Sequence, residues 1–144
     1  MSQLEQRKTL EGLRQILAAT RTIAVVGLSS RRNRPSCTVS AYLQEQGYQI
    51  IPVNPNLSEA LGVKAYPSLL DVPVPVDVVD IYRRREDVPP AVEGAIAIRA
   101  KVIWMQLGIV NEEAAARAEA AGLTVVMDNC MGATHRLLRA KGEI

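Results

Sequence analysis

The sequence predicts an α/β fold with three layers, in which a doubly wound, mainly parallel five-stranded sheet carries helices on both faces. Five short apolar runs rich in Val and Ile recur along the chain, as expected for parallel strands that are covered on both faces. Stretches with helical spacing of apolar residues separate these runs. The 144 residues leave room for one domain of ordinary size, so we expect residues 1–144 to form a single domain.

The first half of the chain alternates between helix and strand. An amphipathic stretch predicts a helix over 3–19, and the run IAVVG predicts the first strand at 23–27. Pro35 suits the first position of a second helix, which we expect over 35–46. The run YQIIPV then predicts the second strand at 48–53. This order is typical of a β-α-β unit.

The segment 54–75 breaks the alternation, because four of its residues are proline. We expect an irregular crossover there, with one short strand at 63–65 and a helical turn near Ser68–Leu70. The run VDVVDIY predicts that the sheet resumes with a strand at 76–82.

The second half returns to regular alternation. Asn111 is a typical N-cap and Gly122 a typical stop, and together they delimit a helix at 111–121. The same apolar spacing predicts helices at 87–100 and 132–141 and strands at 101–106 and 123–128. A sheet of this kind binds ligands in a crevice at the carboxyl ends of its strands, so functional residues are expected there.

Composition excludes several classes of protein. The net charge is +2, aromatic residues make up 3% of the chain and Phe is absent, which disfavours a nucleic-acid surface. Cys37 and Cys130 stand far apart without a CxxC motif, so neither a metal site nor a disulfide framework is expected. The chain begins with a charged, amphipathic stretch and contains no apolar run as long as a membrane span. We therefore expect a soluble, cytoplasmic protein without membrane contact.

The loop after the first strand, GLSSRRNRPS at 27–36, is predicted to bind phosphate. Gly27 allows a close turn of the backbone, and the free N–H groups of the following helix point toward an anion. Three arginines lie in the loop. A plain strand-to-helix turn, in which glycine and serine serve geometry alone, is the alternative interpretation.

The identity of the nucleotide is narrowed by what the sequence lacks. The G-x-G-x-x-G pattern of NAD-binding proteins is absent. The second strand ends at Asn54 and Pro55, where an acidic residue would bind the adenine ribose. Arg31 or Arg32 could contact a ribose phosphate, which fits NADP and the 3′-phosphate of coenzyme A equally well. A small NADP-dependent oxidoreductase therefore remains an alternative to a CoA-binding protein.

Five segments carry a resemblance to a known family. They read IAVVGLSSRRNRPS, GYQIIPVNPN, LGVKAYPSLLDVP, VDVVDIYRR and WMQLGIVNEEAAARAEAAGLTVVMDNC. Together they resemble the small bacterial CoA-binding proteins of the YccU type, which are similar in fold to the amino-terminal CoA-binding domain of the succinyl-CoA synthetase alpha subunit. The resemblance covers about residues 15–131. It implies a Rossmann-like fold and CoA or acyl-CoA as the ligand.

The resemblance also implies which residues face the ligand. In such proteins the loop and the helix start surround the phosphates, the PVNP segment borders the nucleotide, and the ends of the next strands line the rest of the crevice. Cys130 is added because it follows the last predicted strand. The expected cofactor-binding residues are Gly27, Leu28, Ser29, Ser30, Arg34, Pro35, Ser36, Val53, Asn54, Pro55, Tyr82, Arg83, Gln106 and Cys130.

No catalytic machinery is predicted. His135 has no acid or nucleophile at a readable spacing and is interpreted as a surface residue of a helix. Asp77 and Asp80 point to opposite faces if both lie in the strand, so they form no catalytic pair. Trp104 lies within a strand and is assigned to the core. We therefore expect a binding protein rather than an enzyme. A protein-binding role for the first helix is a third hypothesis, with the partner unknown.

Overall fold

The computed structural model describes residues 9–144, which contain seven strands. The strands are β1 (Thr22–Val26), β2 (Gln49–Val53), β3 (Glu59–Ala60), β4 (Val63–Lys64), β5 (Val78–Ile81), β6 (Val102–Met105) and β7 (Thr124–Val126). Five of them form one sheet in the order β2-β1-β5-β6-β7, and every neighbouring pair is parallel. The predicted five-stranded parallel sheet is confirmed.

Helices cover both faces of this sheet. They are α1 (Leu10–Ala19), α2 (Pro35–Glu45), α3 (Val88–Ala97), α4 (Glu112–Ala120) and α5 (Met131–Ala140). One apolar cluster joins the sheet to α3 and α4, and a second joins its other face to α1, α2 and α5. The predicted three-layer α/β architecture is therefore confirmed. Residues 3–8 of the first predicted helix lie outside the described residues.

The crossover between β2 and β5 differs in detail from the prediction. Instead of one short strand, β3 and β4 form a two-stranded antiparallel pair. The helical turn is a 3₁₀ turn at Leu69–Asp71, one residue later than expected. The helix predicted over 87–100 ends at Ala97, because Arg99 adopts a left-handed conformation with φ of 60° that no helix continues through.

The amino-terminal edge of the sheet is tied together by hydrogen bonds. A carboxylate oxygen of Asp77 accepts from the backbone N–H groups of Arg21 (2.9 Å) and Thr22 (3.1 Å), and Lys101 pairs with the other oxygen at 3.2 Å. The hydroxyl of Tyr48 donates to the carbonyl of Leu17 at 2.9 Å. These polar groups all have partners, as expected at an edge that serves stability.

The carboxyl-terminal edge of the sheet contains a topological switch point, where the connections from two neighbouring strands leave toward opposite faces. β1 lies between β2 and β5, and the helices that follow β1 and β5 pack on opposite faces of the sheet. Such a switch point leaves a crevice above the strand ends. The segments that border it begin at Gly27 after β1 and at Tyr82 after β5.

Candidate functional site

Gly27 brings the end of β1 into direct contact with the end of β5. Its φ is 91°, and a Cβ atom at this position would lie 2.3 Å from the carbonyl oxygen of Tyr82 and 3.2 Å from Nε of Arg83. Its N–H donates to the carbonyl of Val53 at 2.9 Å, which ties in the end of β2 as well. Only glycine satisfies both the backbone conformation and the close approach. Three strand ends thus converge at one residue.

The loop after Gly27 is folded by its own hydrogen bonds. Leu28 is fully buried, and its carbonyl accepts from Nδ2 of Asn54 at 3.1 Å, so only its backbone is available near the crevice. The N–H of Ser29 donates to Oγ of the buried Ser36 at 3.0 Å. Ser30 is exposed. The fixed loop therefore holds the start of α2 against the strand ends.

The first turn of α2 has no side-chain cap. Arg34 occupies the N-cap position without a side-chain hydrogen bond to the helix, and Pro35 is the first helical residue. In α1 and α4, Thr9 and Asn111 accept a hydrogen bond from a backbone N–H of the first turn, whereas α3 and α5 resemble α2 in having no side-chain cap. Pro35 has no N–H, and the N–H groups of Cys37 and Thr38 donate to the carbonyl of Arg34. The N–H of Ser36 is therefore the first-turn group that is left without a partner among residues 9–144 and available for an anion.

An apolar groove extends the crevice across the sheet. It has a volume of about 520 Å³ and lies between the ends of β1 and β2, the turn at 67–70 and one side of α3. This size is typical of small-molecule sites. Among the predicted residues, Val53, Pro55 and Arg83 line it. The sequence analysis missed the residues that form its far wall, which are Pro67, Leu69, Leu70, Pro90, Ala91 and Gly94.

Arg83 is the arginine best placed for the crevice. It is half-buried beside Gly27 and lines the apolar groove. It forms no ion pair with any carboxylate in the part of the chain that the structure describes. Arg84 instead pairs with Asp87 at 3.1 Å and is exposed. The guanidinium of Arg83 is thus a cation left available for an anionic ligand.

Tyr82 and Gln106 directly follow β5 and β6, and Cys130 lies between β7 and α5. Tyr82 is half-buried, and its hydroxyl has no hydrogen-bond partner among residues 9–144. Gln106 is buried; its Nε2 donates to Oδ1 of Asp80 and its Oε1 accepts from the N–H of Met131 at 3.3 Å. Both ends of this amide are therefore used inside the protein. Cys130 is half-buried, has a free thiol and precedes α5.

Asp80 is a site residue that the sequence analysis did not assign to the crevice. It is completely buried, and burial raises the pKa of its carboxyl to about 7 although the hydrogen bond from Gln106 opposes this. Burial also raises the pKa of Tyr82, with the negative charges of Asp80 and Cys130 adding to the effect. A charged residue in the middle of an apolar run was the signal that could have revealed it.

Three further expectations concern residues outside the crevice. Trp104 is fully buried as predicted, and its indole N–H donates to the carbonyl of Asn129 at 2.8 Å. The interpretation of His135 as a surface residue is wrong: it is 5% exposed, and its Nδ1 is 2.8 Å from the hydroxyl of Tyr42. Burial and the charge of Arg139 lower the pKa of this histidine. Its ring packs edge-on against the rings of Tyr42 and Tyr48.

Residues 9–144 lack two features, a metal-binding cluster and a membrane-spanning helix. No group of three or more His, Cys, Asp or Glu in that part of the chain is arranged to hold a metal ion. None of the helices formed there has the length and apolar character that crossing a bilayer requires.

Comparison with known proteins points to one family. Residues 21–136 match the family described as CoA binding domain. The protein YneT of Bacillus subtilis, described as uncharacterized, is 45% identical over 127 residues, which covers 88% of this chain and 94% of YneT. A hypothetical protein from Pyrococcus horikoshii has a solved structure with a TM-score of 0.90 and 41% identity, covering 93% of this chain and 94% of that one.

A larger relative contains the same domain. An ADP-forming acetate–CoA ligase of Archaeoglobus fulgidus is 31% identical over 122 residues. The match covers 78% of this chain and 18% of the ligase. These comparisons agree with the Rossmann-like sheet and the resemblance carried by the sequence. The chain belongs to the family of CoA-binding domains.

Proposed function

We propose that this protein binds CoA or acyl-CoA, with the phosphates held where β1 passes into α2. The observation that carries the proposal is the tight turn at Gly27, which lies against Arg83, a guanidinium without an ion pair among residues 9–144. The start of α2 follows this turn and adds the N–H of Ser36. Backbone N–H groups and a guanidinium are the groups that bind phosphate in proteins. Membership in the CoA-binding family supports the choice of CoA.

The rest of the ligand is assigned to the two arms of the crevice. The adenine fits the apolar groove, because Val26, Val53 and Leu69 offer flat apolar walls to it. The PVNP segment then borders the nucleotide, with Asn54 holding the loop and Pro55 lining the groove. The pantetheine arm runs the other way, past Tyr82 and toward Cys130.

We further propose that the protein is a single binding domain rather than an enzyme. The crevice residues provide phosphate recognition, and we identify no nucleophile with an adjacent base among residues 9–144. The named activity of the ligase relative belongs to a protein of which this chain matches 18%. Two free cysteines, Cys37 and Cys130, fit the reducing cytoplasm, where we place the protein. Its protein partner is unassigned.

Titration calorimetry with CoA, acetyl-CoA and NADPH tests the proposal. We expect saturable binding of CoA or acetyl-CoA that is at least about tenfold tighter than that of NADPH. Mass spectrometry of the ligand that copurifies with the native protein provides an independent test. Tighter binding of NADPH would favour the small oxidoreductase, for which the family match gives no support. Absence of heat with all three compounds would refute nucleotide binding.

A further inference from the structure

Two buried polar atoms near the carboxyl-terminal edge of the sheet have no hydrogen-bond partner among residues 9–144. Asp80 is completely buried, and its Oδ1 accepts from Gln106 while its Oδ2 has no hydrogen-bond partner within residues 9–144. The hydroxyl of Tyr82 is also buried and unpartnered within that range. The third such atom in the described chain, Oγ of Ser40, lies on α2 and away from the strand ends. Buried polar groups without partners lower stability, so they call for an explanation by a ligand or water.

The two side chains lie on the same face of the sheet. Asp80 is the third residue of β5 and Tyr82 follows two residues later, so both side chains project from the face that packs against α2 and α5. Their Cα atoms are about 6.6 Å apart, twice the rise per residue of a strand. Oδ2 of Asp80 and the hydroxyl of Tyr82 form no bond to each other. After burial, the charge of Asp80 is the next cause that raises the pKa of Tyr82, so the two polar groups lie near enough to interact. One group that bridges them would satisfy both. We call these two atoms the polar seat.

The surroundings of the polar seat exclude an anion as its occupant. Val25 and Trp104 flank Asp80 on the neighbouring strands, and both are fully buried. Gln106 contributes an amide from β6, and no lysine or arginine pairs with Asp80 in the described chain. A phosphate would meet a carboxylate without a compensating cation. A neutral group that both donates and accepts hydrogen bonds fits instead.

The position of the polar seat connects it to the crevice. The N–H of Tyr82 donates to the carbonyl of Val26 at 2.9 Å, and its own carbonyl lies against Gly27. Tyr82 is half-buried and its hydroxyl is buried, so the exposed part of the residue lies nearer the backbone at the strand end. Cys130 is close enough to influence its ionisation. A ligand arm that passes from the α2 start toward Cys130 therefore crosses Tyr82.

We propose that the polar seat binds one secondary amide of the pantetheine arm, with Tyr82 donating to the amide carbonyl and Asp80 accepting from the amide N–H. The arm enters as the Tyr82 side chain shifts outward. This inference rests on the proposed function, since it requires CoA to lie with its phosphates at α2. It assigns Tyr82 and Asp80 a role in recognising the arm, separate from phosphate recognition. It also explains why two buried polar atoms are retained without partners.

The test compares CoA with adenosine 3′,5′-bisphosphate, which shares the nucleoside with its 3′- and first 5′-phosphates and lacks the second 5′-phosphate and the arm. Tyr82→Phe removes the donor, and Asp80→Asn replaces the acceptor by an NH₂ group while Oδ1 still accepts from Gln106. We expect each variant to bind CoA about tenfold more weakly and the bisphosphate with affinity unchanged within about twofold. Calorimetry measures both ligands on the same protein preparations.

The matched control is Tyr48→Phe. Its hydroxyl donates to the carbonyl of Leu17 at the opposite edge of the sheet, so its loss is expected to lower the unfolding temperature without changing either affinity. Tyr82→Phe removes an unpartnered hydroxyl, so the ligand-free variant is expected to unfold at the same or a higher temperature. A merely structural role for Tyr82 predicts a lower unfolding temperature instead.

Each other outcome has a definite meaning. Equal weakening for both ligands means that the two residues act on the shared nucleotide or on the fold. No weakening for either ligand means that the arm does not use the polar seat, and both results overturn the inference. Wild-type protein that binds CoA no more tightly than the bisphosphate makes no use of the arm, which also overturns it and leaves the proposed function standing. Wild-type protein that binds neither compound overturns both proposals.

Discussion

The two edges of the sheet differ in whether their aspartate and tyrosine side chains have hydrogen-bond partners within residues 9–144. At the amino-terminal edge, Asp77 accepts two backbone hydrogen bonds and an ion pair, and Tyr48 donates to a carbonyl. At the carboxyl-terminal edge, Asp80 and Tyr82 each leave a buried oxygen without a partner among residues 9–144. Asp77 and Asp80 belong to one short segment of chain. Strand β5 thus joins an edge with satisfied polar groups to one with unsatisfied polar groups.

The pKa values of the two aspartates express this difference. Burial works against the charge of Asp77, but the N–H groups of Arg21 and Thr22 and the ammonium of Lys101 hold its pKa below the ordinary value. Burial raises the pKa of Asp80 to about 7, and one hydrogen bond from Gln106 does not offset it. Asp77 therefore stabilises the folded protein near neutral pH, whereas Asp80 destabilises it. Such a loss of stability is common where a protein binds a ligand.

The largest expected effect is that of replacing Gly27, at the carboxyl-terminal edge of the sheet, by alanine. Gly27→Ala places a Cβ 2.3 Å from a backbone oxygen at φ of 91°, so the strand ends must separate. We expect a loss of roughly 4 kcal/mol in the free energy of unfolding and complete loss of CoA binding. Gly47→Ala is the control, because its φ is 102° but nothing lies within 4 Å of the added Cβ. It is expected to cost about 1 kcal/mol and to leave binding unchanged.

Urea unfolding and calorimetry measure these two quantities. Equal destabilisation by the two alanines would mean that backbone conformation alone matters at Gly27, and the close approach to Tyr82 would lose its importance. Retained CoA binding in a folded Gly27→Ala protein would contradict the placement of phosphates beside this turn.

The next effect is a difference in pH dependence between the aspartates. The pKa of Asp80 is raised in the folded state, from an ordinary value of 3.8 to about 7, so the folded protein holds this proton more tightly. Stability is then lost as the pH rises from about 4 to 7, by roughly 4 kcal/mol at most. Asp80→Asn removes this decline. Unfolding by urea at a series of pH values measures it.

Asp77→Asn is the comparison for that experiment. Its carboxylate has a lowered pKa, so the stability that it contributes is present near neutral pH and lost as the pH falls below about 4. The variant is expected to be less stable than wild type at pH 7, with the difference vanishing in acid. Parallel pH profiles for wild type and Asp80→Asn would show that the pKa of Asp80 is the same in the folded and unfolded states, contrary to the effect of its burial.

Whether the sequence predicts a feature of the two edges depends on how far apart along the chain the interacting residues lie. The strands and the crevice edge follow from apolar runs and from turn residues, which are local signals. The loop of Gly27 is predictable because glycine and proline fix its backbone. The burial of His135 is not, because its partner Tyr42 lies 93 residues away. The wall of the apolar groove pairs Leu69 with Gly94 and is equally long-range.

The smallest expected effect separates two adjacent arginines. Arg83 is half-buried at the crevice without an ion pair in the described chain, whereas Arg84 is exposed and paired with Asp87. Arg83→Gln is expected to weaken CoA binding by about tenfold, the value of one charge-assisted hydrogen bond. Arg84→Gln should change it less than twofold. Calorimetry at two salt concentrations measures both, and only the Arg83 variant should bind with a weaker salt dependence.

Equal effects of the two substitutions would assign phosphate binding to the general positive charge of this segment. If Arg83 contacts a phosphate, its substitution weakens CoA binding more than that of Arg84 does, although each substitution removes one positive charge.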